Sequence, residues 1–209
     1  MKAYILILLL TVALASVQAQ NYSVQSPSGR LTINVTVDEN ISYSVSLGNR
    51  EIITPSPISL FLEDEILGRK MKVRKSRTIS VSEEIVPVVA RKNNRIPDVY
   101  NQLILSSKGF NLHFRAYDEG VAYRWEVTGE SPIKVINEQA TFTFADDHQV
   151  WFPEEESMFS HQERSYLKVK LSEITPRRFA STGLTLLLNM TWITLFWMKG
   201  GTTLMISCK

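Results

Sequence analysis

The chain has 209 residues, of which 44% are hydrophobic, and its 23 basic side chains nearly balance 21 acidic ones. A net charge of +2 excludes a partner that is held mainly by charge, so we predict no nucleic-acid partner. The single cysteine, Cys208, excludes a disulfide within the chain and with it the class of small disulfide-stapled domains.

The first 19 residues have the three-part pattern of a secretory signal peptide. Lys2 gives a positive start, an apolar run extends over Ile5–Ala15, and Val17-Gln18-Ala19 supplies small residues for a signal peptidase. The run is shorter than the about 20 apolar residues of a membrane-spanning helix, so we predict no membrane span. We predict cleavage after Ala19 and export, and a disulfide-free exported chain fits a bacterial periplasm or cell surface.

Alternation of apolar and polar residues dominates the remaining chain and predicts β-strands. Leu31–Val37 and Ile41–Leu47 form a predicted hairpin, and a short third strand at Glu51–Ile53 is expected to end where Pro55 and Pro57 break the ladder. Further strands are predicted at about 79–90 and 99–106, and at Phe110–Ala116, Val121–Val127, Ile133–Ile136 and Thr141–Phe144. No segment has a convincing helical stripe, so the fold is expected to be an all-β sandwich or barrel.

Catalytic constellations are missing from the sequence. It contains no nucleophile elbow, zinc-protease motif, phosphate loop or dinucleotide fingerprint. The histidines are scattered without metal-ligand spacing, and His113 is expected at the surface because it alternates with the apolar residues of its strand. We therefore predict no catalytic residue in this chain.

The C-terminal segment, residues 182–209, differs from the rest. No acidic residue follows Glu173, and Gly183–Met198 is strongly apolar. Three interpretations are open: a buried hairpin that turns at Gly200-Gly201, a membrane anchor that is short for the purpose, or a divergent tail that results from truncation or a shifted reading frame. We assign these residues to a divergent apolar tail.

Two segments combine aromatic and charged residues. FRAYDEGVAYRWEV (Phe114–Val127) is predicted to be a tight hairpin, and WFPEEESMFSHQERSYLKVKLSEI (Trp151–Ile174) joins several aromatic residues to glutamates. Rings beside carboxylates are typical of sugar sites, where the rings stack on the sugar and the carboxylates accept its hydroxyls or bind calcium. An acidic surface loop explains the same composition.

The order of these features resembles the N-terminal domain of glycoside hydrolase family 97, whose members are exported α-glucosidases and α-galactosidases of mostly Bacteroides-type, Gram-negative bacteria. The similar segments run from about residue 22 to about residue 181, and the most specific of them is FRAYDEGVAYRW. In chain order they are SPSGRLTINVTV, ISYSVSLGNREII, FRAYDEGVAYRW, NEQATFTF, QERSY and LSEI.

The resemblance implies a large antiparallel β-sandwich of the galactose-mutarotase-like super-sandwich type at residues 20–181. In the family, this sandwich packs on a catalytic (β/α)₈ barrel and lends a glutamate to a calcium ion near the substrate, an oligosaccharide or α-glycoside. By motif position Glu163 is the candidate metal ligand, and Trp151 and His161 are candidate substrate-binding residues. A (β/α)₈ barrel needs about 250 residues, so the barrel is missing here and the chain alone is predicted to be inactive.

Three functions are open at this point. The chain is the accessory sandwich of a truncated glycosidase, which is the reading we adopt, or a free-standing carbohydrate-binding module. The third alternative is a structural or adhesion sandwich of the cell surface that resembles the family only in its β-strand patterning.

Overall fold

The computed structural model describes residues 19–89, 92–128, 133–153 and 165–174, and the backbone of two strands at 193–197 and 203–208. The predicted signal peptide lies almost wholly outside these residues. Within them the chain forms fifteen β-strands and one 3₁₀ turn, Leu171–Glu173. The strands are β1 Gln20–Gln25, β2 Leu31–Val37, β3 Ile41–Leu47, β4 Arg50–Leu62, β5 Ile66–Leu67, β6 Lys75–Ile85, β7 Ile96–Ser106, β8 Phe110–Ala116, β9 Gly120–Val127, β10 Val135–Ala140, β11 Thr143–Phe144, β12 Gln149–Pro153, β13 Tyr166–Lys170, β14 Ile193–Trp197 and β15 Thr203–Cys208.

Two sheets make up the described part of the chain, which confirms the predicted all-β sandwich. One has the order β1-β2-β3-β4-β10, with β5 and β11 also paired to β4, and the other has the order β13-β12-β15-β14-β9-β8-β7-β6. The pairs that the structure describes are antiparallel, apart from β12 with β15. Within the described residues, no helix is long and apolar enough to cross a membrane.

The core lies between the sheets and follows directly from the alternating sequence. Ile33 and Val35 on β2 and Ile41 on β3 point inward from one sheet, and Leu112 and Phe114 on β8 point inward from the other. Each of these side chains is almost completely buried, and burial of one such side chain stabilises the fold by about 1.5–3 kcal/mol. The inner face of the eight-stranded sheet is therefore the apolar one.

The prediction that Pro55 and Pro57 break the ladder was wrong, because β4 continues through both prolines. On one edge β4 pairs with β11 at Ile53 and Thr54, and with β10 from Ile58 onward. Both prolines stand in the gap between these two segments, so their missing N–H groups cost no ladder hydrogen bond on that edge. The gap is filled instead by the Ser56 hydroxyl, which accepts a hydrogen bond of 2.8 Å from the amide of Thr143.

A polar contact joins the two sheets at the end where the β1–β2 and β8–β9 turns meet. The Asp118 carboxylate accepts hydrogen bonds from the backbone amide and the hydroxyl of Ser28, at 2.9 and 2.6 Å. These hydrogen bonds lower the pKa of Asp118 below its ordinary value. The turn residue Asp118 therefore has a second role, which is to fix the relative position of the sheets.

The backbone of β14 and β15 forms an antiparallel pair that adds to the eight-stranded sheet next to β9. This pairing is the one that the hairpin interpretation of the C-terminal segment expects. The wider assignment of residues 182–209 to a divergent tail, and the domain boundary at residue 181, stay predictions.

Candidate functional site

Trp151 is the one predicted site residue that the structure describes, and it lies on a two-stranded ribbon at the edge of the eight-stranded sheet. Strand β12 pairs with the edge strand β13, and Trp151 is directly opposite Lys168. Its neighbours Val150 and Phe152 are buried, whereas 47% of Trp151 is exposed. The alternating sequence of β12 thus turns two apolar side chains inward and leaves a large aromatic ring at the surface.

The register shows which face of the sheet carries Trp151. Val150 pairs with Leu204 on β15, and Leu204 pairs with Trp197 on β14. Two residues before Trp197 on the same strand, Leu195 pairs with Val121 on β9, which is a core residue. Paired residues share a face and successive residues alternate between faces. Val150 is therefore on the inner face with Val121, and Trp151 is on the outer face of the eight-stranded sheet.

The other two predicted site residues, His161 and Glu163, lie outside the described residues, in the segment 154–164 that connects β12 to β13. Their assignment stays a prediction. In the described part of the chain, no group of three or more His, Cys, Asp or Glu side chains is placed to hold a metal ion.

The outer face also carries a hydrogen-bonded polar cluster on β7, β8 and β9. The Glu126 carboxylate lies 2.8 Å from Nε2 of His113 and accepts a 2.7 Å hydrogen bond from the Asn111 amide. Nδ1 of His113 is 3.3 Å from the Gln102 amide nitrogen. The prediction that His113 is a surface residue was wrong, since only 6% of it is exposed.

Burial and pairing act in opposite directions on this histidine. Burial lowers the pKa of His113, and the hydrogen bond to Glu126 opposes that shift without cancelling it. The pKa of Glu126 is lowered as well, first by the hydrogen bond from Asn111 and then by the one from His113. Both shifts favour a neutral imidazole beside an ionised carboxylate.

Arg115 extends the cluster toward the β8–β9 turn. Its Nε donates a 2.6 Å hydrogen bond to Gln102, and its guanidinium lies 4.1 Å from the centre of the Tyr100 ring. A third contact, of 3.3 Å, reaches the hydroxyl of Tyr117. These contacts hold the guanidinium in one orientation and place a fixed positive charge on the outer face.

Sequence reasoning did not identify this cluster, although a signal for it is present. Gln102, His113 and Arg115 alternate with the apolar residues of their strands, as do Arg124 and Glu126 on β9. Polar residues at such positions are ordinarily solvent-exposed when one face of a sheet packs on the core and the other faces solvent. Only the register of β7, β8 and β9 brings them together into one network.

Residues 24–197 match the family model of the glycosyl-hydrolase 97 N-terminal domain. A retaining alpha-galactosidase of Bacteroides thetaiotaomicron is 30% identical over 190 residues, which cover 85% of this chain and 28% of that protein. A probable retaining alpha-galactosidase of Streptomyces bingchenggensis is 26% identical over 161 residues, which cover 72% of this chain and 25% of that protein. The chain thus spans less than a third of the length of these relatives.

Solved structures agree on the fold. A glycoside hydrolase family 97 enzyme of Pseudoalteromonas sp. strain K8 aligns with a TM-score of 0.60 at 17% identity, over 90% of this chain and 31% of that one. A beta-arabinopyranosidase aligns with a TM-score of 0.59 at 19% identity, over 71% of this chain and 26% of that one. These alignments show the shared fold, and the family-model match over residues 24–197 shows that the chain belongs to the N-terminal domain family of glycoside hydrolase family 97.

Proposed function

We infer that the chain acts as the accessory sandwich of an exported glycosidase and contributes to the binding of an oligosaccharide or α-glycoside without carrying out hydrolysis. The observation that carries this proposal is the match to the family's N-terminal domain, which covers only 28% of the alpha-galactosidase relative. An α-galactoside or α-glucoside is the proposed substrate of the complete assembly. The proposed partner is a catalytic (β/α)₈ barrel, and the proposed location is the periplasm or cell surface of a Gram-negative bacterium.

Trp151 is the proposed sugar-stacking residue. Its ring is half exposed, and the segment that follows β12 contains His161, the second proposed substrate-binding residue, and Glu163. Aromatic rings bind sugars through their apolar ring faces, while carboxylates and imidazoles bind the hydroxyl groups. Trp151 and the segment that follows its strand therefore offer both kinds of group within a short stretch of sequence.

Calcium is a proposed cofactor, with Glu163 as one ligand. A carboxylate suits calcium, but one glutamate offers at most two oxygens where calcium takes about 6–8. The described residues include no cluster that supplies the remainder. Glu163 alone therefore fits calcium in kind and not in number, and we propose that a second domain completes the site.

The test uses residues 20–209 in calorimetric titrations with maltotriose and with melibiose, with and without calcium. We expect one of the sugars to bind, and we expect Trp151→Ala to weaken that binding. Glu163→Gln should reduce any calcium-dependent part while leaving the calcium-independent part intact. If neither sugar binds, only the alternative of a structural or adhesion sandwich remains.

Hydrolysis is tested with aryl α-glucoside and aryl α-galactoside substrates. We expect no turnover above that of the Glu163→Ala variant, because no catalytic acid or base has been assigned to this chain. Turnover by residues 20–209 that exceeds the variant would contradict the proposal that this domain is non-catalytic.

A further inference from the structure

A second aromatic ring lies next to Trp151 on the same face of the sheet. Tyr166 begins β13 and pairs with Pro153, two residues after Trp151 on β12, while Lys168 pairs with Trp151 itself. Residues in register share a face, so Tyr166 and Lys168 both lie on the face that carries Trp151. Tyr166 is 58% exposed, and Trp151 is 47% exposed.

Two half-exposed rings side by side are unusual, because large aromatic side chains normally bury most of their surface. The inner side of the same ribbon shows the usual behaviour, since Phe152 is buried there. Flat rings on a polar, lysine-bearing strand pair favour a ligand with flat apolar faces and many hydroxyl groups. A sugar has both features, because its C–H faces stack on rings and its hydroxyl oxygens accept hydrogen bonds from a lysine ammonium.

The spacing of the two rings bears on the length of the ligand. Trp151 and Tyr166 are diagonal neighbours across an antiparallel pair, and such residues are separated by about 7–8 Å. Two rings that extend from positions this far apart form a surface longer than a single ring, which is long enough to contact more than one unit of a ligand. The arrangement therefore favours a chain of sugars over a single one.

We propose that Trp151 and Tyr166 form a two-ring platform on the outer face of the β12–β13 ribbon, which binds an oligosaccharide of at least two units, with Lys168 as a hydrogen-bond donor to its hydroxyls. The proposal rests on the proposed sugar-binding function and adds to it a second binding residue, Tyr166, and a minimum ligand length.

The experiment titrates residues 20–209 with glucose, maltose and maltotriose and follows heat and tryptophan fluorescence. Variants are Tyr166→Ala, the ring-conserving control Tyr166→Phe, and Trp151→Ala. The wild type should bind maltose and maltotriose more tightly than glucose. Tyr166→Ala should weaken maltotriose binding by about 3- to 10-fold, the range that one aromatic contact is worth, and Tyr166→Phe should retain it.

Each outcome separates this proposal from the function on which it rests. Maltotriose binding that is unchanged in Tyr166→Ala, with a normal melting temperature, would overturn the platform while the sugar-binding function stands. Equal affinity for glucose and maltotriose would overturn the minimum length. A wild type that binds none of these sugars would overturn the platform, and one that also fails to bind melibiose would overturn the sugar-binding function as well. A self-association that Tyr166→Ala abolishes would instead identify the face as an interface between copies.

Discussion

Glu138 connects the two sheets through a hydrogen-bonded carboxylate, and replacing it is expected to destabilise the sandwich. The residue lies on β10 of one sheet, and its Oε1 accepts hydrogen bonds from Tyr123 and Trp125 on β9 of the other. The distances are 2.9 Å from the Tyr123 hydroxyl and 3.2 Å from the indole nitrogen of Trp125. Both donors belong to side chains that are buried in the core.

The perturbation is Glu138→Leu, measured against Glu138→Gln, which keeps an acceptor at the same position. Leaving the buried Trp125 indole N–H without its acceptor lowers the free energy of unfolding by about 1–3 kcal/mol. Loss of the Tyr123 hydrogen bond lowers it by about a further 0.5–1.5 kcal/mol. Leucine gains some apolar burial in return. We therefore expect Glu138→Leu to be about 1–3 kcal/mol less stable than Glu138→Gln.

Urea denaturation followed by tryptophan fluorescence measures the free energy of unfolding of the two variants. A difference below about 0.5 kcal/mol, less than the worth of one typical hydrogen bond, would refute the assignment of the carboxylate as an inter-sheet acceptor. The pH dependence gives a second check. Burial raises the pKa of Glu138 above its ordinary value, so the wild type should lose stability relative to Glu138→Gln as the pH rises through the raised pKa.

Three further predictions concern stability. Asp118→Ala should cost about 0.5–1.5 kcal/mol by removing the Ser28 contact, and since the pKa of Asp118 is lowered, this loss should disappear as the pH falls through that lowered pKa. Gly68→Ala should cost at least about 1 kcal/mol in urea denaturation, because Gly68 has φ +95° and its added Cβ would lie 3.1 Å from Trp125. His113→Gln should flatten the loss of stability below about pH 6.5, because the lowered pKa of His113 makes protonation oppose folding. An unchanged thermal unfolding curve at pH 7 would contradict the Asp118 or Gly68 contact, and an unchanged pH dependence of stability would contradict the reasoning for His113.

Strands with strict alternation could be predicted to the residue. The predicted bounds of Leu31–Val37, Ile41–Leu47 and Phe110–Ala116 are those of β2, β3 and β8. In each of them a period of two places apolar side chains on one face, and burial of that face fixes the register of the strand. Strand β4 was predicted too short, because a proline ends a strand only where its N–H is needed, and that depends on the neighbouring strands.

The polar cluster shows why the candidate site was harder to predict than the fold. His113, Gln102 and Glu126 come from three strands, and the hairpin predicted from sequence joins only two of these strands. Trp151 could be identified because its segment is rich in aromatic residues and glutamates, but the face that it occupies depends on the pairing of β12 with β15. Long-range register thus decided what local patterning left open.

The apolar inner face of the eight-stranded sheet and the exposed rings of its β12–β13 ribbon have different physical roles, so core stability and sugar binding can be tested separately. The inner face is packed with apolar side chains such as Leu112 and Phe114, so substitutions there should change the free energy of unfolding. Trp151 and Tyr166 lie on the outer face and are about half exposed, so replacing either ring with alanine removes few core contacts. If the two rings bind a ligand, these two variants should lose affinity for a sugar while unfolding at nearly the wild-type urea concentration. A parallel loss of stability and affinity would mean that the rings support the ribbon rather than a ligand.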